Sequence, residues 1–483
     1  MARMTDNTDG RRDAKARAVP SGRLSRLGQF GRLAGGVAGG MIAEGARRLA
    51  EGERPQMRDM LLTPANVGRI ADRLSHLRGA AMKLGQMISM DAGDMLPPEL
   101  ADIMARLRQN AHRMPPQQLQ QVLATQWGKD WRTRFARFEV TPIAAASIGQ
   151  VHRARTRDGR DLAIKVQYPG VRESIDADVD NVATLLRVSG LLPRDLDIAP
   201  LLAVAKSQLR EEADYLREGE QMTLFGALLA TDADYVVPAL DPAFTTQHVL
   251  AMDFVEGQPI ETLADAPPAT RNRVMGAFIA LVLRELFEFG VMQTDPNFAN
   301  YRYQPATGRL VLLDFGAARP VPAAISTGYL DLLRAAMAGD PDSVRAAALA
   351  AGFVGAGAIT HHRDSIDRMI AVVVAEMQRT GPFDFGDRGF VEVLRNQGME
   401  VAADRAAWHI PPPDMLFVQR KISGTALLAA RLKAQIDVGA MLERYLAPNG
   451  RSANSVGWKF KTGQSLSRAC GRRARARRYR LTR

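Results

Sequence analysis

The sequence predicts an α+β protein of two lobes, strand-rich and then helix-rich, preceded by an N-terminal helical extension. Three observations predict it. Residues 66–90 place Ile70, Leu74, Leu77, Ala81, Leu84 and Ile88 on one buried helical stripe, by the i, i+4, i+7 spacing. From about residue 139 short β-like runs appear, at 161–167, 247–253 and 309–314, with a long helical stretch over 198–229 between the first two. Beyond Pro259 the pattern is helical apart from the run that ends at Asp314. Strands gathered in one half and helices in the other are the mark of an α+β architecture.

The 483 residues are too many for one compact core. They divide into a basic, Gly-rich segment (1–55), the helical extension (56–138), a strand-bearing lobe (139–258), a helical lobe (259–446) and an Arg-rich tail expected to be disordered (447–483). Hydrophobic residues at 46% and charged residues at 24% are ordinary for a soluble globular protein. The formal charge of +12 points to anionic partners. Much of it lies in residues 468–483, which hold eight arginines and no acid. Tyr479 is the only aromatic among those arginines, so an anionic lipid surface is expected there and nucleic acid is not. The single cysteine, Cys470, excludes a disulfide within the chain and a Cys-rich zinc site. No apolar run approaches the ~20 residues that span a bilayer, so a cytoplasmic protein meeting the membrane from the side is expected. Small residues at 31–40 read either as a flexible linker or as a surface where two helices approach, in a membrane or a homodimer.

Five motifs follow one another in the order of a protein-kinase-like chain. Phosphoryl transfer needs phosphates held, magnesium ligated and a nucleophile aligned, with little covalent help. Leu162-Ala163-Ile164-Lys165 places a cation on a half-buried strand, where it needs an anionic partner. Upstream, Ala144-Ala145-Ala146-Ser147-Ile148-Gly149-Gln150 occupies the place of a glycine-rich phosphate loop, with alanines that restrict the backbone; a plain β-turn is the other reading. In helical sequence, Glu218 is chosen to pair with Lys165, leaving Glu212 and Asp214 for another role. Asp295 and Asn300, five apart, match the catalytic-loop spacing H-R-D-x-x-x-x-N, as proton acceptor and magnesium ligand, although Gln293-Thr294 replace the His-Arg. Asp314-Phe315-Gly316 ends an apolar run with a second magnesium ligand. The same tripeptide recurs at Asp384, where no strand is expected before it, and is read as chance. Met252, Phe254 and Val255, at the end of the 247–253 run, complete the nucleotide-binding set.

With these motifs the chain resembles the UbiB-type (aarF-domain) atypical kinases, closest to the mitochondrial-type ubiquinone-biosynthesis branch. The more specific marks are Lys83-Leu84-Gly85-Gln86, the alanine loop ending Ser-Ile-Gly-Gln-Val-His, Glu212-x-Asp214, and Gln293-Thr294-Asp295-Pro296-Asn297-x-x-Asn300. The resemblance implies a kinase-like domain whose N-terminal extension folds over the active site. It places Lys83 and Gln86 near the phosphates as regulatory residues, with Glu212 and Asp214 close by. It further implies ATP and Mg2+ as cofactors and an ATPase or small-molecule kinase supporting prenylquinone synthesis at a membrane. Prenylquinone intermediates and the other enzymes of that pathway would be its partners. Two other readings remain: a protein kinase with an unusual nucleotide loop, and a nucleotide-binding pseudokinase scaffold.

Overall fold

The computed structural model describes residues 113–188, 199–387, 389–404, 409 and 411–447. The helix expected over 66–90, with Lys83 and Gln86, the segment 1–55 and the Arg-rich residues 468–483 lie outside the described residues. The first described helix, α1 (Pro116–Trp127), starts on Pro115 and Pro116 and stops at Gly128, whose φ of 89° most side chains avoid. Trp127 closes it against the strand lobe. Its indole N–H donates to the Phe244 carbonyl at 2.9 Å, and its ring meets those of Phe135 and Phe244 at 5.5 Å each.

The first lobe is an antiparallel sheet of β1 (Phe135–Phe138), β3 (Gly149–Thr156), β4 (Asp161–Gln167) and β6 (Val249–Asp253), in that order. The two-residue β2 (Ala144–Ala145) pairs with β3 as well. The sheet therefore begins at Phe135, inside the 56–138 extension and a few residues before the β-like runs expected from about 139. Leu162, Ile164 and Val166 alternate into the core of β4 and are fully buried. Three helices flank this sheet: α2 (Val171–Val188), α3 (Ala199–Glu212) and α4 (Tyr215–Leu228).

Two differences from expectation have local causes. The stretch 198–229 is two helices, because Asp214 accepts the Arg217 N–H at 3.1 Å and caps α4, breaking the run at that point. The sequence reading did not foresee α2. Its buried face carries Ser174 and Asp178, bonded to each other at 2.8 Å, among Val171, Ile175, Val179 and Val182, so polar residues interrupt the apolar stripe.

The second lobe is richer in strands than expected. β5 (Tyr235–Val236), β7 (Gln258–Pro259), β9 (Tyr301–Gln304) and β10 (Arg309–Leu312) form a sheet in the order β5-β10-β9-β7. β8 (Val291–Gln293) pairs with β11 (Ala318–Pro320), and β12 (Phe383–Asp384) with β13 (Gln435–Ile436). Strands of two to four residues are too short for alternation to register in sequence. Helix α5 (Pro268–Arg284) runs into a π-helical turn, Glu285–Phe289, that Gly290 ends in the left-handed conformation. Then come α6 (Ala323–Ala338), α7 (Pro341–Ala351), α8 (Ala356–His361), α9 (Arg363–Met377), α10 (Gly389–Ala403), α11 (Pro413–Arg431) and α12 (Val438–Leu446). Among these, α11 packs directly on α5.

His152 on β3 is buried beneath Phe138, with Nδ1 on the Glu139 carbonyl at 2.8 Å and Nε2 on the Gln150 amide at 2.9 Å. Burial lowers its pKa to about 4, only partly offset by the Glu139 carbonyl. The neutral ring therefore contributes stability that is fully present above the unfolded value near 6.5 and is lost as pH falls toward 4. Replacing His152 with Gln should remove about 3 kcal/mol of this pH dependence, read as a flatter unfolding free energy between pH 7 and pH 4 in urea titrations.

Candidate functional site

Lys165 lies in the register of β4 between Val151 of β3 and Leu250 of β6, on the opposite face from Ile164 and Val166. Its ammonium donates to Glu218 Oε1 and Oε2 at 2.8 and 3.0 Å and to Asp314 Oδ2 at 3.0 Å. It also sits 5.1 Å from the centre of the Tyr215 ring, which adds a cation–π contact. Burial works against this charge, yet the carboxylates of Asp314 and Glu218 outweigh it and hold the Lys165 pKa well above the ordinary lysine value. Glu218 is 1% exposed and reaches Lys165 from the first turn of α4.

Helix α4 also fixes the segment that carries Asp314. Phe315 packs on Phe225 with ring centres 5.1 Å apart. Arg217 donates to the carbonyls of Gly316, at 2.8 Å, and of Ala318. Asp314 Oδ1 accepts the Gly316 N–H at 3.0 Å, which turns the chain directly after β10. The Leu313 N–H donates to the Asn300 carbonyl at 3.0 Å, bringing this turn beside the loop after β8. In that loop Asn300 Nδ2 donates to Asp295 Oδ2 at 3.2 Å. Lys165, Glu218, Asp295, Asn300 and Asp314, spread over 150 residues of sequence, thus converge.

They converge on a cavity of about 1080 Å³ between the lobes. Lys165, Asp295, Asn300 and Asp314 line its polar side. Ile143, Ala163, Met252 and Leu313 contribute apolar wall, and Phe254 and Val255 stand at the connection between lobes. Ala144, Ala145, Ala146 and Ser147 form another edge. This loop is a tight hairpin: Ala144 pairs with Val151, Ala145 with Gln150, and the Ala146 N–H donates to the Gly149 carbonyl at 2.9 Å. Extended backbone tolerates a Cβ, which is why alanines serve where a wider loop would need glycines. The Ser147 hydroxyl donates to Glu212 Oε2 at 3.4 Å, and Glu212 also lines the cavity.

Three residues expected at the nucleotide or in regulation do other work. Gly149 does not line the cavity. A Cβ there would stand 2.4 Å from the Val166 carbonyl oxygen and 2.8 Å from the Tyr215 hydroxyl, so close packing explains the glycine. Gln150 is 1% exposed and bridges the Met114 N–H and His152 inside the sheet. Asp214 is the cap of α4, outside the cavity lining. Glu218 reaches the site only through Lys165. The second Asp-Phe-Gly does have a strand, β12, at Asp384, contrary to expectation; its carboxylate accepts the Gly386 N–H at 2.8 Å on the surface, away from this cavity.

The sequence reading missed Glu285 and Lys421. Each is a charge on the apolar phase of its helix: Lys421 continues Met415 and Val418 toward Thr425 and Leu428, and Glu285 continues Phe278 and Leu281. That phase is the signal that could have found them.

Residues 106–348 match the family described as the ABC1 atypical kinase-like domain. The chain belongs to this family. Among ABC1 relatives it is 35% identical over 438 residues to a protein of Saccharomyces cerevisiae described as atypical kinase COQ8, mitochondrial, covering 90% of this chain and 86% of that one. To the rat protein described as atypical kinase COQ8B, mitochondrial, it is 37% identical over 425 residues, covering 88% and 80%. To the Caenorhabditis elegans protein described as atypical kinase coq-8, mitochondrial, it is 36% identical over 433 residues. That alignment takes in 88% of this chain but only 57% of the longer nematode protein. A solved structure, a complex of Rv3197 with erythromycin from Mycobacterium tuberculosis, superposes with a TM-score of 0.57 at 26% identity, covering 77% of this chain and 93% of that one. The ABC1 match and this likeness establish the kinase-like α+β fold. Among the described residues no helix is long and apolar enough to cross a membrane.

Replacing Glu218 with Gln leaves a buried ammonium with one carboxylate instead of two. The variant should lose about 3 kcal/mol of unfolding free energy, measurable by chemical denaturation; an unchanged midpoint and slope would show that Asp314 alone satisfies Lys165.

Proposed function

We propose that this chain binds magnesium-complexed ATP in the cavity between its lobes and transfers or hydrolyses the γ-phosphoryl group, as an atypical kinase or ATPase supporting prenylquinone synthesis at a membrane surface. The observation that carries this reading is Lys165 held between Glu218 and Asp314, on the wall that also bears Asp295 and Asn300. The quinone pathway rests on the family resemblance and on the relatives named above.

The residues present fit a magnesium ion. Asp314 and Asn300 offer oxygen donors on adjoining turns, tied together by the Leu313 N–H. Among the described residues no cluster of three or more acidic, His or Cys side chains forms an all-protein metal cage. This suits a cation that protein holds through one or two side chains and phosphate oxygens complete. Held by Asp314 and Asn300, a magnesium ion would neutralise the negative charge that develops in transfer. Lys165, kept pointing inward by Glu218, donates to phosphate oxygens and adds positive charge where the transition state gathers negative charge. Ile143, Ala163 and Met252 exclude water around the base. Asp295, held by the Asn300 amide, accepts the proton of the attacking hydroxyl or water.

A small acceptor, or water, is favoured over a protein substrate. Between Gly316 and the start of α6 at Ala323 run only Ala317, β11 and Val321–Pro322. The chain there is too short to lay out a peptide beside the phosphates.

Substituting Asp314 with Asn should abolish the magnesium-dependent part of the thermal stabilisation given by ATP, since a ligand stabilises only the state it binds. An undiminished shift would remove Asp314 from the metal site. Turnover of ATP by the purified chain, with and without anionic vesicles, tests catalysis and the membrane together. No turnover in either condition would sink the enzymatic reading.

A further inference from the structure

The loop that carries Asp295 rests on a fully buried cation from a distant helix. Lys421 of α11 is 0% exposed, and its ammonium donates to the Tyr301 hydroxyl at 2.7 Å and to Gln293 Oε1 at 3.3 Å. The Tyr301 hydroxyl in turn donates to Gln293 Oε1 at 3.0 Å. Gln293 stands two residues before Asp295, and Tyr301 directly follows Asn300. One ammonium therefore holds both ends of the proposed catalytic loop.

Three further contacts close the arrangement. Glu285, on the π-helical turn after α5, accepts the Gln293 N–H at 3.2 Å and faces Lys421 at 3.5 Å. The Thr294 hydroxyl donates to the Ala317 carbonyl at 2.9 Å, linking the loop to the Asp314 turn. One helical turn beyond Lys421, Gly424 lets α11 touch the loop itself: a Cβ there would stand 2.2 Å from Pro296 Cβ. The catalytic-loop pattern sets a histidine and an arginine before its aspartate. Here Gln293 and Thr294 stand in those places, and the cation comes from α11.

Stability does not account for such a charge. A buried ion pair is commonly no better for folding than well-packed apolar side chains of the same volume. Burial opposes both members, raising the Glu285 pKa and lowering that of Lys421. What the cluster supplies is a fixed geometry at two backbone positions and a positive field that reaches Asp295.

We propose that Lys421, with Glu285, is a positioning residue for the phosphoryl-transfer step: it holds the loop 293–301 so that Asp295 and Asn300 face the nucleotide. The inference rests on the functional reading above for its kinetic part and on the loop geometry alone for its structural part.

The test uses the purified full chain and three variants. Lys421→Met removes the charge and keeps an unbranched side chain one atom shorter. Pairing it with Glu285→Gln removes both charges, so the double variant leaves no uncompensated buried ion. Tyr301→Phe removes one hydroxyl and no charge, and decides the matter if the double variant does not fold. The expected result is a kcat lowered about tenfold or more in the double variant, and about threefold in Tyr301→Phe. KM for magnesium-ATP should stay within about threefold of wild type, because the nucleotide's own contacts remain. Amide exchange should quicken over 293–301 ahead of the rest of the second lobe. Wild-type kcat in a folded variant, a KM rising as steeply as kcat falls, or unchanged exchange over 293–301 would each overturn the proposal. If wild type neither binds nor turns over magnesium-ATP, the functional reading fails with the kinetic part, and the exchange result still decides whether Lys421 holds the loop.

Discussion

The site depends on one buried ammonium shared by two carboxylates. Lys165 comes from the first lobe's sheet, Glu218 from the helix beside it, and Asp314 from the turn that follows the second lobe's strand β10. A lysine at this depth is tolerable only with anionic partners, because an unpaired charge away from water is far too costly. The pairing therefore couples the lobes: no placement of Asp314 satisfies Lys165 unless the cavity between them is also formed. Tyr215 beneath the ammonium and Phe315 against Phe225 make the same junction apolar around its charged centre.

Two helices hold this junction. Helix α4 grips the Asp314 segment through Glu218, Arg217 and Phe225. Helix α11 supports the Asp295 loop through Lys421 and the absent Cβ of Gly424. The two loops are then stitched to each other by the Leu313 N–H and the Thr294 hydroxyl. Rigid elements bearing short loops are a good arrangement for phosphoryl transfer, where catalysis is mostly alignment and electrostatics. The alanine hairpin fits this picture. It closes one edge of the cavity with main-chain pairing and small methyl groups, and the Ser147–Glu212 contact ties it to the end of α3.

Much of the cavity lining was legible in the chain because each residue announces itself locally. Lys165 interrupts an apolar alternation, Asp314 ends an apolar strand at a glycine, and Asp295 and Asn300 sit at a fixed short spacing. Glu218 could be chosen among several acids because an ammonium on that strand requires one. Gly149 and Gln150 were misplaced for the converse reason. They adjoin the alanine loop in sequence, but β3 turns them toward Val166, Tyr215 and His152, and sequence proximity carries no information about which face a residue takes when the register is unknown. Helix α2 and the second lobe's short strands other than β10 escaped notice because Ser174 and Asp178 break one pattern and strands of two to four residues show almost none.

The amino-acid order by itself determined the α+β class, the strand that bears Lys165, and that Lys165, Asp295, Asn300 and Asp314 would share one site. These follow from local rules: periodicity, burial of charge and turn chemistry act over a few residues. Only the tertiary structure decided that Glu218 and Asp314 share one ammonium, that Asp214 caps a helix, and that a lysine more than a hundred residues beyond Asp295 supports its loop. Such relations depend on packing between elements far apart in the chain, where the free energy lies in contacts and buried charge that no short window of sequence contains.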